Sequence, residues 1–328
     1  MARGRGRWRR RAISLGVLGL AASLTSVLIG PALVVAAIRD LVVRSRGAWV
    51  RALLFSAWLL FCELWGVAGL FLIWLAWPLG GRASFEARTV RLQRVWTESL
   101  LGGLRRLFSL EVAIEGDAVT AEGGFVLAAR HTSSADPMLV MSAVPNRRGF
   151  RPHFALKAEL LWDPCLDIAG HRFPNAFIRR GQGETELVAA LADHLEPCSI
   201  VVIYPEGTRA TPRRRARRLA QMRERADPLV ELAERFEHGL PPHLGGLASL
   251  LDRQPEADVV FMAHAGLDGI RGVGDLFGGR LIGTRLDVAL WRVAAAEIPS
   301  EPDARRQWLF EQWLEVDRKV GEWRAARE

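Results

Sequence analysis

A histidine and an aspartate stand at a spacing suited to proton transfer. The segment ARHTSSADP, residues 129–137, follows an apolar run and leads into a helix-like pattern that opens at Asp136 and Pro137. A carboxylate five residues after a histidine can fold back across such a turn, orient the imidazole and stabilise its charged form. His131 is therefore a candidate general base and Asp136 its orienting partner. The alternative is structural, with Asp136 as a helix cap and His131 as a turn residue.

A second apolar run ends in groups suited to binding an anion. The segment VVIYPEGTR, residues 201–209, closes with an acid, a glycine and a cation. Free backbone N–H groups, a glycine that permits close approach and a forked guanidinium together suit a phosphate. The alternative is a capping Thr208 beside a solvated Arg209. The arginines that follow are either a polybasic patch for acidic lipid head groups or a solvated helix face: Arg213, Arg214, Arg215, Arg217 and Arg218.

Both segments belong to a pattern of alternating strands and helices. Apolar, β-branched runs predict strands at residues 110–114, 125–130, 152–156, 176–179, 199–204, 259–263 and 286–293. Helix-like periodicity over residues 85–107 places Leu92, Val95, Trp96, Leu100 and Leu104 on one face, and further helices are predicted at 137–144 and 185–195. The alternation predicts an α/β fold with a mixed, largely parallel sheet flanked by helices.

The domain organisation has a membrane part and a cytoplasmic part. Residues 1–84 form a basic N-terminus and a two-helix membrane hairpin, with helices at about 12–38 and 52–80, each long enough to span a bilayer. Glycines and Pro31 leave a kinked or re-entrant first helix possible. Glu63 interrupts the second run and is either functional, hydrogen-bonded to the neighbouring helix or snorkelling. Residues 85–328 form the second domain, with a helical insertion at about 213–254 and an amphipathic C-terminal helix at about 303–326.

Charge and composition limit the function classes. Six arginines precede the first apolar run, three lie around the connection at Arg44, Arg46 and Arg51, and six lie in residues 82–106, so the positive-inside rule places both ends in the cytoplasm. We expect a bacterial-type inner membrane, with the catalytic domain on its cytoplasmic face. The three cysteines have no metal-binding spacing, so we expect no metal and no resident cofactor. The basic run is not interleaved with aromatic residues, which argues against nucleic acid.

The two polar segments together resemble a known family. HTSSAD at residues 131–136, followed by YPEGTR at 204–209, is similar to the H-x4-D and F-P-E-G-T-R blocks of the glycerolipid (lysophosphatidic acid) acyltransferases. FIRR at 177–180, KAEL at 157–160 and VVFMA at 259–263 resemble further family segments, and the similarity runs from about residue 85 to the C-terminus. LPPHLGG at 240–246 and the Trp-rich tail resemble the lysophosphatidylinositol and lysocardiolipin acyltransferases. Arg130, Arg179 and Phe261 depart from the family pattern.

The resemblance implies a fold, a reaction and roles for individual residues. It implies a glycerolipid acyltransferase-like domain that transfers a fatty acyl group from acyl-CoA or acyl carrier protein. The acceptor is the free sn-2 hydroxyl of lysophosphatidic acid or a related membrane lysophospholipid. His131 and Asp136 would be catalytic. The implied substrate-binding residues are Ser133, Lys157, Arg180, Glu206, Gly207, Thr208 and Arg209.

Two other functions remain open from the sequence. A lipid hydrolase would use Ser133 or Ser134 as nucleophile, although neither lies in a G-x-S-x-G elbow. A non-catalytic membrane protein would use the arginines of residues 213–218 to bind anionic lipid.

Overall fold

The computed structural model describes residues 2–179 and 185–327. Numbered in chain order, the α-helices in these residues are α1 (Ala2–Val43), α2 (Ala48–Leu75), α3 (Trp77–Phe108), α4 (Asp136–Ala143), α5 (Pro145–Arg148), α6 (Pro164–Gly170), α7 (Thr185–Ala189), α8 (Pro212–Glu224), α9 (Val230–Glu234), α10 (Leu244–Arg253) and α11 (Pro302–Ala325). The strands are β1 (Glu111–Glu115), β2 (Phe125–Ala129), β3 (Arg151–Lys157), β4 (Ala176–Ile178), β5 (Ser199–Ile203), β6 (Asp258–Ala265) and β7 (Arg285–Val293). Short 3₁₀ turns cover Asp117–Thr120, Ala158–Trp162, Ala190–His194, Val273–Gly278 and Ala295–Glu297.

The chain forms two compact units. The first comprises Met1–Glu111, Leu156–Arg180 and Arg271–Thr284, and the second comprises Val112–Ala155, Gly181–Ile270 and Arg285–Glu328. The expected boundary at residue 84 lies within the first unit, in α3. A break in α3 lies close by, at Gly81, whose φ of 66° is not helical.

The first unit contains two helices long and apolar enough to cross a membrane, Gly6–Val43 and Ala48–Leu75. Both predicted apolar helices are present, and α1 continues through Pro31 as a single element. Glu63 is buried within this unit, where the Cys165 thiol donates to its carbonyl oxygen. In α3, Leu100 and Leu104 are buried as expected, whereas Val95 is 47% exposed and does not belong to the buried face.

The sheet has seven strands in the order β1-β7-β6-β2-β5-β3-β4. β2 pairs in parallel with both β5 and β6, β3 pairs in parallel with β5, and β6 pairs antiparallel with β7. All seven predicted strands are confirmed within one or two residues. The strands β2 and β5 are buried at every position, as near-continuous apolar runs predict for strands covered on both faces.

The aromatic stripe of α11 is core packing. Trp308 and Trp313 are buried and meet the Phe261 ring of β6 edge-on, with ring centroids 5.7 and 6.4 Å apart. Phe261 also stacks on Trp291 of β7. The C-terminal helix is therefore fixed to the central strands of the second unit.

The register of the parallel strands brings two polar segments together. Ala128 of β2 is opposite Ile203 of β5, and Ala129 is opposite Met262 of β6. The residues that follow β2 and β5 therefore emerge side by side at the carboxyl edge of the sheet. This edge is where open α/β folds bind ligands.

Candidate active site

The turn between β2 and α4 holds the predicted histidine–aspartate pair. Oδ2 of Asp136 lies 3.0 Å from Nδ1 of His131 and also accepts hydrogen bonds from the backbone N–H groups of Thr132, at 2.6 Å, and Ser133, at 2.8 Å. The Asp136 side chain is fully buried, while that of His131 remains 14% exposed. An oxygen that accepts from two backbone donors is a carboxylate acceptor, so the shared proton belongs to Nδ1 of His131. Nε2 then carries the lone pair of a general base.

Ser133 lies beneath this turn and does not face solvent. Its hydroxyl donates to the carbonyl of Ile270 at 2.9 Å and accepts from the N–H of Ala135 at 3.0 Å, and the residue is fully buried. The Ser134 hydroxyl makes a longer bond of 3.4 Å to the same carbonyl. These bonds give Ser133 a part in shaping the turn, and they occupy the oxygen that a hydrolase would need as nucleophile.

Glu206 lies in the turn after β5, is fully buried and fixes the backbone of His131. Its Oε2 accepts the backbone N–H of His131 at 2.9 Å, and its Oε1 accepts the N–H of Leu240 at 3.1 Å. The N–H of Ala210 donates to the carbonyl of His131 at 2.8 Å. Both backbone polar groups of His131 are thus bound by the segment that follows β5.

Gly207 is required by the shape of this turn. Its φ is 64°, a left-handed conformation that favours glycine, and its N–H donates to the carbonyl of Tyr204 at 2.9 Å. The His243 ring lies over it, since a Cβ at position 207 would sit 3.3 Å from Cδ2 of that ring. Thr208 and Arg209 continue the turn and are partly exposed.

Two further residues, Lys157 and Arg180, complete the predicted substrate-binding set. Lys157 is the last residue of β3 and belongs to the first unit. Arg180 lies outside the described residues. The site described above is formed wholly by the second unit.

Arg130 is a buried residue of the site for which the sequence analysis assigned no role. It is 1% exposed, and its Nη1 lies 3.0 Å from Oδ1 of Asp268 and 2.9 Å from the carbonyl of His264, while Nη2 binds the carbonyl of His238. Burial alone would raise the pKa of Asp268, but the guanidinium groups of Arg130 and Arg324 outweigh it and hold that pKa at about 2. The signal in the sequence was an arginine directly after an apolar strand, which must be paired when buried.

A carboxylate of α11 fixes the loop that supports Glu206. Asp317 accepts the consecutive backbone N–H groups of Glu237, His238 and Gly239 at 2.9, 2.8 and 2.6 Å. The next residue, Leu240, is the one that donates to Glu206. Hydrogen bonds at both ends of the segment 237–240 therefore connect the C-terminal helix, through Glu206, to the backbone of His131.

The arginines of α8 divide into two sets. Arg215 donates to the carbonyl of Phe236, and Arg218 donates to the carbonyls of Pro241 and Glu206. Arg213 and Arg217 are exposed. Two of the arginines in the expected polybasic patch therefore bind the same loop as Asp317, and only part of the run faces solvent.

Replacing Glu206 with glutamine should lower kcat for acyl transfer by about 10- to 100-fold. An amide NH₂ group would face a backbone N–H donor and leave it unpaired, at a cost of roughly 1–3 kcal/mol.

Burial raises the pKa of Glu206 to about 7, although the charge of Arg130 and the backbone N–H groups of Leu240 and His131 lower it. A carboxyl whose folded pKa is raised stabilises the fold fully below its ordinary value of 4.5, and this contribution is lost as the pH rises through about 7.

Thermal unfolding at pH 5 and pH 8 tests the second effect. The wild-type protein should be less stable at pH 8 by an amount that the Glu206→Gln variant lacks. An identical pH dependence in the two proteins would contradict the assignment.

Comparison with known proteins finds a family to which the central part of the chain is similar. Residues 111–238 match the model of the Acyltransferase family, and this range contains both His131–Asp136 and the turn after β5. The part of the chain that carries the site is therefore similar to acyltransferases. A solved structure, the 1-acyl-sn-glycerophosphate (LPA) acyltransferase PlsC from Thermotoga maritima, is 16% identical with a TM-score of 0.45, and the match covers 80% of this chain and 96% of that one. No curated protein matches.

Proposed function

We propose that this protein is a membrane-bound acyltransferase that moves a fatty acyl group from acyl-CoA or acyl carrier protein to the free sn-2 hydroxyl of lysophosphatidic acid or a related lysophospholipid. The observation that carries the proposal is the His131–Asp136 pair, whose carboxylate is fixed by two backbone N–H groups at the carboxyl edge of the sheet. The match of residues 111–238 to the Acyltransferase family supports the reaction class.

The reaction needs one base and no covalent intermediate on the protein. Nε2 of His131 removes the proton of the acceptor hydroxyl while Asp136 stabilises the imidazolium that forms. The acceptor oxygen attacks the thioester carbonyl, and backbone N–H groups stabilise the oxyanion. The tetrahedral adduct collapses with cleavage of the C–S bond, and the leaving thiolate takes the proton from His131. The buried, hydrogen-bonded hydroxyl of Ser133 argues against a serine hydrolase.

The test is an acyl-transfer assay on the full-length protein in detergent micelles. Radiolabelled acyl-CoA and acyl carrier protein thioesters are each offered with lysophosphatidic acid, lysophosphatidylinositol and monolysocardiolipin. We expect a diacyl product and stoichiometric release of free thiol with at least one pair. Release of free fatty acid without a diacyl product would support a hydrolase, and liposome binding without turnover would support a lipid-binding protein.

Arg209 is proposed to bind the acceptor phosphate together with Gly207 and the neighbouring Thr208. Arg209→Ala should raise the acceptor KM by about 10- to 100-fold with little change in the donor KM, because a charge-assisted hydrogen bond contributes about 1.5–3 kcal/mol. Steady-state kinetics with varied acceptor measure this. The matched control is Arg213→Ala, which removes an exposed arginine of α8; equal effects of the two variants would contradict the assignment.

The inner membrane, with the catalytic unit on its cytoplasmic face, is the proposed location, and native cysteines allow a test. Cys198 is exposed, whereas Cys62 and Cys165 are buried. A maleimide that cannot cross membranes should label one cysteine in inside-out vesicles and none in intact spheroplasts. Cys198→Ser should abolish the labelling. Labelling of Cys198 in spheroplasts would place the second unit on the opposite face.

A further inference from the structure

Tyr204 is the only tyrosine in the sequence and lies in the candidate active site. It directly follows β5, and the β2–β5 register places it beside the turn that carries His131. The two rings pack together, with centroids 4.7 Å apart and planes tilted by 36°. The Tyr204 ring therefore forms one wall against the imidazole of the candidate base.

The polar end of Tyr204 is also buried. Its hydroxyl oxygen has no hydrogen-bond partner among residues 2–179 and 185–327. A buried hydroxyl without a hydrogen-bond partner destabilises the fold, and a phenylalanine at this position would avoid that cost. The hydroxyl is therefore a candidate for a functional role. Burial, and next the negative charge of Asp136, raise the pKa of the Tyr204 hydroxyl well above its ordinary value, so the group stays a neutral O–H donor.

Asp136 has a matching unpaired oxygen. Its Oδ2 takes the bonds from His131, Thr132 and Ser133, whereas its buried Oδ1 has no hydrogen-bond partner within the described residues. The nearest basic nitrogen, Nε2 of His264, is 3.9 Å away and is already bonded to the carbonyl of Arg130 at 2.8 Å. Only one of the two carboxylate oxygens of Asp136 therefore has hydrogen-bond partners within the described residues.

We propose that Tyr204 is a positioning residue for the His131–Asp136 pair: its ring holds the imidazole, and its hydroxyl acts as a neutral dipole on the Asp136 carboxylate. A donor dipole stabilises the negative charge of the carboxylate and so weakens its electrostatic pull on the imidazole ring. The proposal rests on the proposed function, in which His131 is the base.

Several charged groups surround His131. Asp136 contacts it from the start of α4, Glu206 contacts its backbone from the turn after β5, and Arg130 precedes it at the end of β2. His264 of β6 and Asp268 beyond it complete the set from the other neighbouring strand. Among these, Glu206 has a pKa of about 7, so its own ionisation can contribute to a pH–rate profile and the experiment must remove it.

Two substitutions separate the ring from the hydroxyl. Tyr204→Phe keeps the ring, and we expect the acid limb of the kcat/KM profile to move to higher pH by a few tenths of a unit, up to about 0.5, because the dipole acts without a direct hydrogen bond and contributes less than one. The same shift should appear in a Glu206→Gln background, which removes the overlapping group. Tyr204→Leu removes the ring and should reduce kcat by about tenfold through loss of alignment. A purely structural role would lower stability without moving the limb.

A second measurement needs no turnover. Tyrosine labelled with ¹³C at Cζ gives one resonance from this protein, because Tyr204 is its only tyrosine. Asp136→Asn removes the charge and should shift this resonance and lower the pH at which the hydroxyl ionises. An unchanged limb in Tyr204→Phe, or an unchanged resonance in Asp136→Asn, overturns the proposal. Absence of acyl transfer by the wild-type protein overturns the proposed function instead, and the resonance still reports whether Tyr204 senses Asp136.

Discussion

Acyl transfer by the His131→Ala variant should be slower than by the wild-type protein by about 10³-fold, or roughly 4 kcal/mol in the activation barrier, because no other base takes the proton from the acceptor hydroxyl. The loss should fall on kcat. The backbone N–H and carbonyl of His131 keep their bonds to Glu206 and Ala210 in this variant, so the turn has the groups it needs to keep its shape. Initial rates at saturating acceptor, together with far-UV circular dichroism, measure the two effects.

Ser133→Ala distinguishes this mechanism from a serine-dependent one. The substitution removes the hydroxyl bond to Ile270, which should cost about 1 kcal/mol of stability and at most about a tenfold loss of transfer. If Ser133→Ala were as inactive as His131→Ala, and an acyl-serine could be trapped in the wild-type protein, direct attack by the acceptor would be wrong.

The parts of the site that follow local patterns were predictable from the sequence. Apolar runs located β2 and β5, and polar residues at the ends of both runs marked the places where the chain turns. Parallel strands end at the same edge of a sheet, so His131 and the turn at Glu206 were expected near each other. The structure confirms the strands and places His131 and Asp136 within hydrogen-bonding distance.

The partners of buried polar groups were not predictable. The resemblance implies that Glu206 binds substrate, whereas the structure shows it accepting N–H groups from His131 and Leu240, which lie 75 and 34 residues away in the chain. No periodicity encodes such pairings, because they depend on how distant segments meet. The arginine run is different: Arg215 and Arg218 are spaced by one helical turn, and that spacing alone places them on one face of α8.

Loss of the ion pair between Arg130 and Asp268 should have the second large effect, on the free energy of unfolding. Arg130 is fully buried, and its guanidinium binds Asp268 and the carbonyls of His264 and His238. Arg130→Met should lower the free energy of unfolding by about 2–5 kcal/mol, because it leaves the carbonyls of His264 and His238 without this donor, at roughly 1–3 kcal/mol each, and removes one of the two guanidinium partners of Asp268. Transfer should fall as well, since the next residue is His131.

Arg324 provides the matched control because it binds the same oxygen of Asp268, at 3.1 Å, from a side chain that is 41% exposed. Arg324→Ala should lower the free energy of unfolding by only about 0–1 kcal/mol, as the loss of an exposed ion pair does.

The pKa of Asp268, about 2 against an ordinary 3.8, sets the pH dependence of this stability difference. A carboxyl with a lowered pKa stabilises the fold above its ordinary pKa and loses that contribution as the pH falls through its folded value. The stability gap between wild type and Arg130→Met should therefore be constant from about pH 5 to 8 and narrow below about pH 4 in denaturant titrations. Equal losses of unfolding free energy in Arg130→Met and Arg324→Ala would show that burial of the Arg130 side chain does not determine how strongly it pairs with Asp268.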